Sequence, residues 1–186
     1  MRHLTALRLR LRDRRGFTMV EMLMTTLILL MVSAVVAGGV PSAANAYFKI
    51  VDAANAQILL SNTVTSLRSE LAVAANVETE SSGNVKSFTN SGSGWKKELL
   101  NSDEGIKIKD TATEGGPMGR GEQLLVPKAL SGTVRTSALI SKYDSITYNK
   151  STGVFSIKNL RVEKGNQTLA EISELTVRSV LPKFSA

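Results

Sequence analysis

Hydrophobic and polar positions divide this chain into four stretches. Between residues 17 and 40 lies a run of 24 residues, rich in Leu, Met, Val and Ala, whose only charge is Glu21. That is long enough to cross a ~30 Å hydrocarbon core as one helix. Thr25, Thr26 and Ser33 are tolerated in such a helix because a hydroxyl can bond back to the preceding turn. The run closes on Gly38, Gly39 and Pro41. In a helix interior Gly costs about 1 kcal/mol and Pro about 3 kcal/mol relative to Ala, so this cluster reads as a weak point where the helix can bend or melt.

From Ser42 to about residue 76 the apolar positions recur at helical spacing. Tyr47, Phe48, Val51, Ala54, Ile58 and Leu59 form a first stripe, with Asn55 inside it; Leu60, Val64, Leu67, Leu71 and Ala74 form a second. The stripes do not line up on one straight helix, so the buried face is expected to move round near Leu60. Lys49, Ala53, Gln57, Asn62, Thr65 and Ser69 face away. After residue 76 the period changes. Val85 to Phe88, Trp95 to Leu100, Ile106 with Ile108, and Gln123 to Val126 are short strand signals. Asp144 to Tyr148 and Val154 to Leu160 flank turn residues and predict a hairpin. A second turn at Lys164 to Asn166 leads to a last strand holding Leu175 and Val177. Thr111 to Glu122 is Gly-rich and reads as a loop. Strands in series after a long helix predict an α+β fold.

Charge changes the picture at the N-terminus. The formal net charge is +7, but the first 16 residues hold six Arg and one Asp and so carry +5 of it. Without them the basic balance nearly vanishes, and with it the electrostatic case for a nucleic-acid partner. The leader arginines read as a positive-inside anchor. The chain has no Cys, and its one His, His3, lies in the leader. Disulfides, thiol chemistry and Cys metal sites are therefore excluded. No constellation for catalysis, a cofactor or a metal is evident. The acids Asp103, Glu104, Asp110 and Glu114 lack the ligand order of a calcium loop and are interrupted by Lys107 and Lys109, so they read as a solvated charged loop. GGPMGRG, residues 115 to 121, is no phosphate loop. Trp95 and Tyr143 read as core residues.

The stretch Arg14 to Glu21, RRGFTMVE, concentrates the functional signal. An acid inside a membrane span costs roughly 2.5–3.5 kcal/mol near its centre, less toward an end, and so asks for a function. Basic leader, Gly16, Phe17, an acid at the fifth residue after Gly16 and an unbroken apolar run together resemble the signal of type IV prepilins and pseudopilins. The resemblance covers Met1 to about Ala46. It implies cleavage between Gly16 and Phe17 by a prepilin peptidase, N-methylation of Phe17, and an assembly charge pair between Glu21 and the Phe17 amine of another subunit. It also implies a lollipop fold, with an N-terminal helix packed on an antiparallel β-sheet head. The segments are then a removed leader (1–16), a transmembrane and filament-core helix (17–40), an amphipathic continuation (41–76) and a β-rich head (77–186). The implied partners are the peptidase, other pilin subunits, an inner-membrane assembly platform and membrane lipid. The implied location is the cytoplasmic membrane with the N-terminus inside, then an extracellular or periplasmic filament. Major pilin, minor pilin, competence pseudopilin and secretion pseudopilin are not separated by any head signature.

A competing reading is a secreted binding protein or enzyme. Ala44-Asn45-Ala46 matches an ordinary signal-peptidase site, and Arg14-Arg15 partly matches a twin-arginine signal. The apolar run exceeds the 7–15 residues usual in such signals, and neither route needs Glu21.

Overall fold

The computed structural model describes residues 17–111, 121–130 and 138–180. The leader, most of the Gly-rich segment and the last six residues lie outside them. Helix α1 runs Met19–Ala72 and is followed by ten strands: β1 Ala74–Thr79, β2 Val85–Asn90, β3 Lys96–Ser102, β4 Gly105–Thr111, β5 Gly121–Leu124, β6 Ala129–Leu130, β7 Ala138–Lys142, β8 Ser145–Asn149, β9 Val154–Lys164 and β10 Gln167–Arg178. The class is α+β, as the change of period predicts. By contacts the chain forms two units, Met1–Ala46 and Tyr47–Ala186.

In the first unit α1 is exposed along its whole apolar run. The hydroxyls of Thr25, Thr26 and Ser33 each donate to a carbonyl one turn back, at 2.7–3.0 Å. Backbone and side chain are thus both satisfied without water. The helix passes through Gly38, Gly39 and Pro41 unbroken. Pro41 contributes no N–H to the ladder and its ring crowds the carbonyl of Ala37.

In the second unit α1 packs on two antiparallel sheets. The first is a meander, β1-β2-β3-β4-β5; the second runs β10-β9-β7-β6, with β8 also paired to β9. One helix stripe is buried: Asp52, Ala56, Leu59, Leu60, Thr63, Leu67 and Leu71. These recur every three or four residues, so the buried face does not move round near Leu60. The second sequence stripe is borne out in Leu60, Leu67 and Leu71. The first is not: Leu59 is buried, but Tyr47, Ala54 and Ile58 are exposed. Asp52 takes the place of an apolar residue because Lys164, at the end of β9, reaches it at 2.6 Å. Burying that carboxylate without its cation would be strongly unfavourable. Against the helix stripe lie Phe88, Ile106, Leu139, Ile146, Phe155, Ile157, Leu160, Val162, Leu175 and Val177.

The helix ends at Ala72, a few residues before the expected boundary, and residues 74–79 are a strand. Asn76 adopts φ 47° inside that strand, where the register with β2 slips. Asn159 does the same in β9, at φ 51°. Asn is among the few residues that tolerate this left-handed region. Its effect in β9 is a change of parity. Phe155 and Ile157 face the core before it, Leu160 and Val162 after it. The pairing partner changes there too, from β8 over Val154–Lys158 to β7 over Arg161–Glu163. The Asn159 amide donates to Asp144 at 2.6 Å, and Asp144 is also held by Arg161. That hydrogen bonding holds the Asp144 carboxyl below the usual carboxylate range.

Tyr143 joins the sheets. Its hydroxyl donates to the Leu99 carbonyl at 2.9 Å, and its backbone brackets the Asn101 side chain. Burial pushes its hydroxyl up to about 12, so it stays a neutral donor. Trp95, expected in the core, is only half-buried just before β3.

The second unit has its own core, so a fragment spanning 47–186 should fold in solution with mixed helix and strand by circular dichroism. Within it, Asn159→Val should cost about 1–2 kcal/mol in urea unfolding, the penalty of a left-handed backbone, while Asn159→Gly should cost less. Equal losses in both variants would show that the side-chain bond to Asp144 matters more than the backbone.

Candidate processing and assembly site

Of the residues singled out around the cut, Gly16 lies outside the described residues; Phe17, Glu21, Gly38, Gly39 and Pro41 lie within them. Phe17 precedes the helix and is exposed. Thr18 is the N-cap. Glu21 sits at the third helical position, and its Oε2 accepts from the Thr18 amide at 3.1 Å and the Thr18 hydroxyl at 3.2 Å. The Glu21 amide donates back to Thr18 Oγ1 at 3.2 Å. This is a capping box, which satisfies two of the orphan donors at a helix start. A carboxylate in the first turn is also favoured by the helix dipole. Thr18, which the apolar pattern does not single out, carries its own sequence signal in the T-x-x-E spacing to Glu21.

The arrangement has a chemical consequence. The capping box starts α1 at Met19, so Phe17 is left outside the regular helix. A free amine on Phe17 would lie close to the same carboxylate that caps the helix. Between Glu21 and Val40 the helix carries no further charge. Its most apolar 18-residue window has a mean hydropathy of 2.3 and is fully exposed, so by length and composition it can cross a membrane.

The model of the family described as the prokaryotic N-terminal methylation motif matches residues 11–37. The chain carries the type IV pilin/pseudopilin signal. No curated protein and no solved structure matches the chain. The matched segment contains Gly16, Phe17, Thr18, Glu21 and most of the apolar run. Signal and apolar helix together fit membrane anchoring, and the signal supports a type IV pilin-like subunit.

The remaining sequence candidates fall apart spatially. Asp103 and Glu104 are exposed at the β3–β4 turn, and Glu104 is held by Lys107 at 2.9 Å and Lys128 at 3.3 Å. Those two lysines, Lys107 first, lower its carboxyl. Asp110 is not part of a solvated loop but buried on β4. Burial follows from strand alternation, since Ile106, Ile108 and Asp110 share one face. Glu114 and residues 115–120 of GGPMGRG lie outside the described residues, as does Arg14-Arg15. Ala44-Asn45-Ala46 lies within α1. Among the described residues no group of His, Asp or Glu is placed to hold a metal.

Thr18→Val removes the hydroxyl of the box and leaves the Glu21 charge. It should cost about 0.5–2 kcal/mol of local helix stability, read as faster hydrogen exchange at the Glu21 amide in detergent. Thr18→Ser should exchange like the parent. Unchanged protection in Thr18→Val would mean that the box does not hold the first turn.

Proposed function

We propose that the chain is a structural subunit of a type IV pilus-like filament, matured by a prepilin peptidase and assembled through α1. The observation that carries this reading is the apolar surface that the fold leaves uncovered. The whole run from Phe17 to Val40 is exposed, and in the second unit Tyr47, Ile50 and Ile58 are exposed on the side of the helix opposite the buried stripe. Lipid can cover the first before assembly. Neighbouring helices can cover both afterwards.

In this reading the leader stays in the cytoplasm and the peptidase cuts between Gly16 and Phe17. Glycine suits the cut because it presents no side chain to a protease that must approach the backbone. The new amine of Phe17 is then methylated. A subunit joining the filament through the membrane platform sets its Phe17 amine against Glu21 of a neighbour. Removing one partner from a buried charge pair costs about 3–5 kcal/mol, so the pair would penalise a wrong axial register more than it strengthens the right one. Gly38 and Gly39 have open space around them, so packing within the subunit does not demand glycine. Their use, with Pro41, is as the weak point of α1 during assembly.

Two measurements test this reading. N-terminal sequencing of the mature protein should begin at methylated Phe17; a start at Tyr47 would support ordinary secretion instead. Glu21→Gln and Glu21→Ala should both leave cleavage largely intact and both reduce filament incorporation, measured as filament-associated protein against processed subunit in the membrane. Gln can still serve the capping box, whereas Ala cannot. Loss in Ala alone would assign the role to the cap, and normal incorporation of both would remove Glu21 from assembly.

A further inference from the structure

Lys97 and Asp110 are directly opposite each other on β3 and β4. Both side chains point into the unit, at 9% and 1% exposure. Lys97 Nζ donates to Glu70 Oε2, in the last turn of α1, at 2.8 Å. The Asn90 amide donates to the same oxygen at 2.9 Å. The Asn90 carbonyl is in turn pinned by the amides of Gly92 and Ser93 at 2.9 and 3.1 Å. Asp110 Oδ1 lies 3.9 Å from Lys97 Nζ and accepts no hydrogen bond, although it is buried. An ion pair built only for stability would close that gap. Here the amine is held by one carboxylate and aimed beside another whose oxygen is bare.

We propose that Lys97 and Asp110 become joined by an amide bond, with Glu70 as the proton carrier. One proton of Lys97 Nζ passes to Asp110 Oδ1, making that carboxyl neutral and electrophilic, and the freed lone pair attacks Asp110 Cγ. Glu70 takes a second proton from nitrogen and returns it to the departing oxygen as the adduct collapses. One N–C bond forms, one C–O bond breaks, and the departing oxygen carries both protons away as water. Nothing is oxidised or reduced. Side chains held this way react with an effective concentration of roughly 10⁵–10⁸ M when well aligned, and a buried site disfavours the reverse hydrolysis. Glu70 is 24% exposed, which leaves the water a way out. Asn90 is a positioning residue that orients Glu70. The product is neutral and closes the β3–β4 hairpin covalently, in a chain that has no cysteine for a disulfide. This inference does not depend on the filament reading.

The test is tandem mass spectrometry of a tryptic digest of the processed full chain, purified in detergent. The peptide Lys97 to Lys107 should be found attached to the peptide beginning at Asp110, one water lighter than the two together, with no cut after Lys97. Lys97→Arg and Asp110→Ala should abolish it. Asp110→Asn, which preserves the shape of the site, should give the same linked peptide through loss of ammonia. Glu70→Gln should slow linkage roughly 10²–10⁴-fold, the usual worth of a positioned acid–base group. Wild-type protein yielding only the two separate peptides would overturn the proposal, whatever the variants do. Linkage in Glu70→Gln at the parental rate would remove Glu70 from the reaction.

Discussion

Everything in the second unit depends on one stripe of α1. Ala56, Leu59, Leu60, Thr63, Leu67 and Leu71 are buried, and the apolar ones share one core cluster with residues of both sheets. Burying one Leu side chain is worth about 1.5–3 kcal/mol, and truncating it to Ala typically costs about 2–5 kcal/mol once the cavity is counted. Thr63 fits among them because its hydroxyl bonds back to the Leu59 carbonyl at 2.7 Å. The stripe is narrow, and the rest of the helix circumference stays available for other contacts.

Charge marks the two ends of that packed stripe. Asp52 with Lys164 lies at its start and Glu70 with Lys97 at its end. Buried pairs of this kind gain little net stability, since desolvation offsets the attraction, but losing one member is costly. Their value lies in register. A helix slid by one turn would leave the buried Asp52 and Lys97 without their partners, whereas an apolar stripe alone would tolerate the slip more cheaply.

Glu21 poses the same problem in a different solvent. In the single subunit its carboxylate is satisfied by the Thr18 amide and hydroxyl. That explains how an acid can sit at the head of a helix apolar enough to span a membrane. In the proposed assembly the carboxylate has two competing uses, since a neighbour's amine would displace or share the cap. The charge is tolerated locally and remains available for recognition.

The local patterns that act within a few residues were legible in the chain alone. The apolar run, the β9–β10 hairpin turns and the α+β class all follow from spacing, because helix and strand periods and turn chemistry are properties of neighbouring residues; the signal at Gly16 to Glu21 was legible through its resemblance to a known family. The T-x-x-E cap at Thr18 to Glu21 is equally local. What the sequence could not determine is which side of an amphipathic helix meets the core. Tyr47, Ile58 and Ala54 look as apolar as Leu59, and only the sheets decide that they face outward while Asp52 faces in. The same holds for Lys97, Glu70, Asn90 and Asp110. They are spread over 41 positions of sequence (70 to 110) with no local motif, and strand pairing with helix docking alone brings them together. Parity in β9 also belongs to the tertiary structure, because Asn159 inverts the alternation only where β8 hands its pairing over to β7.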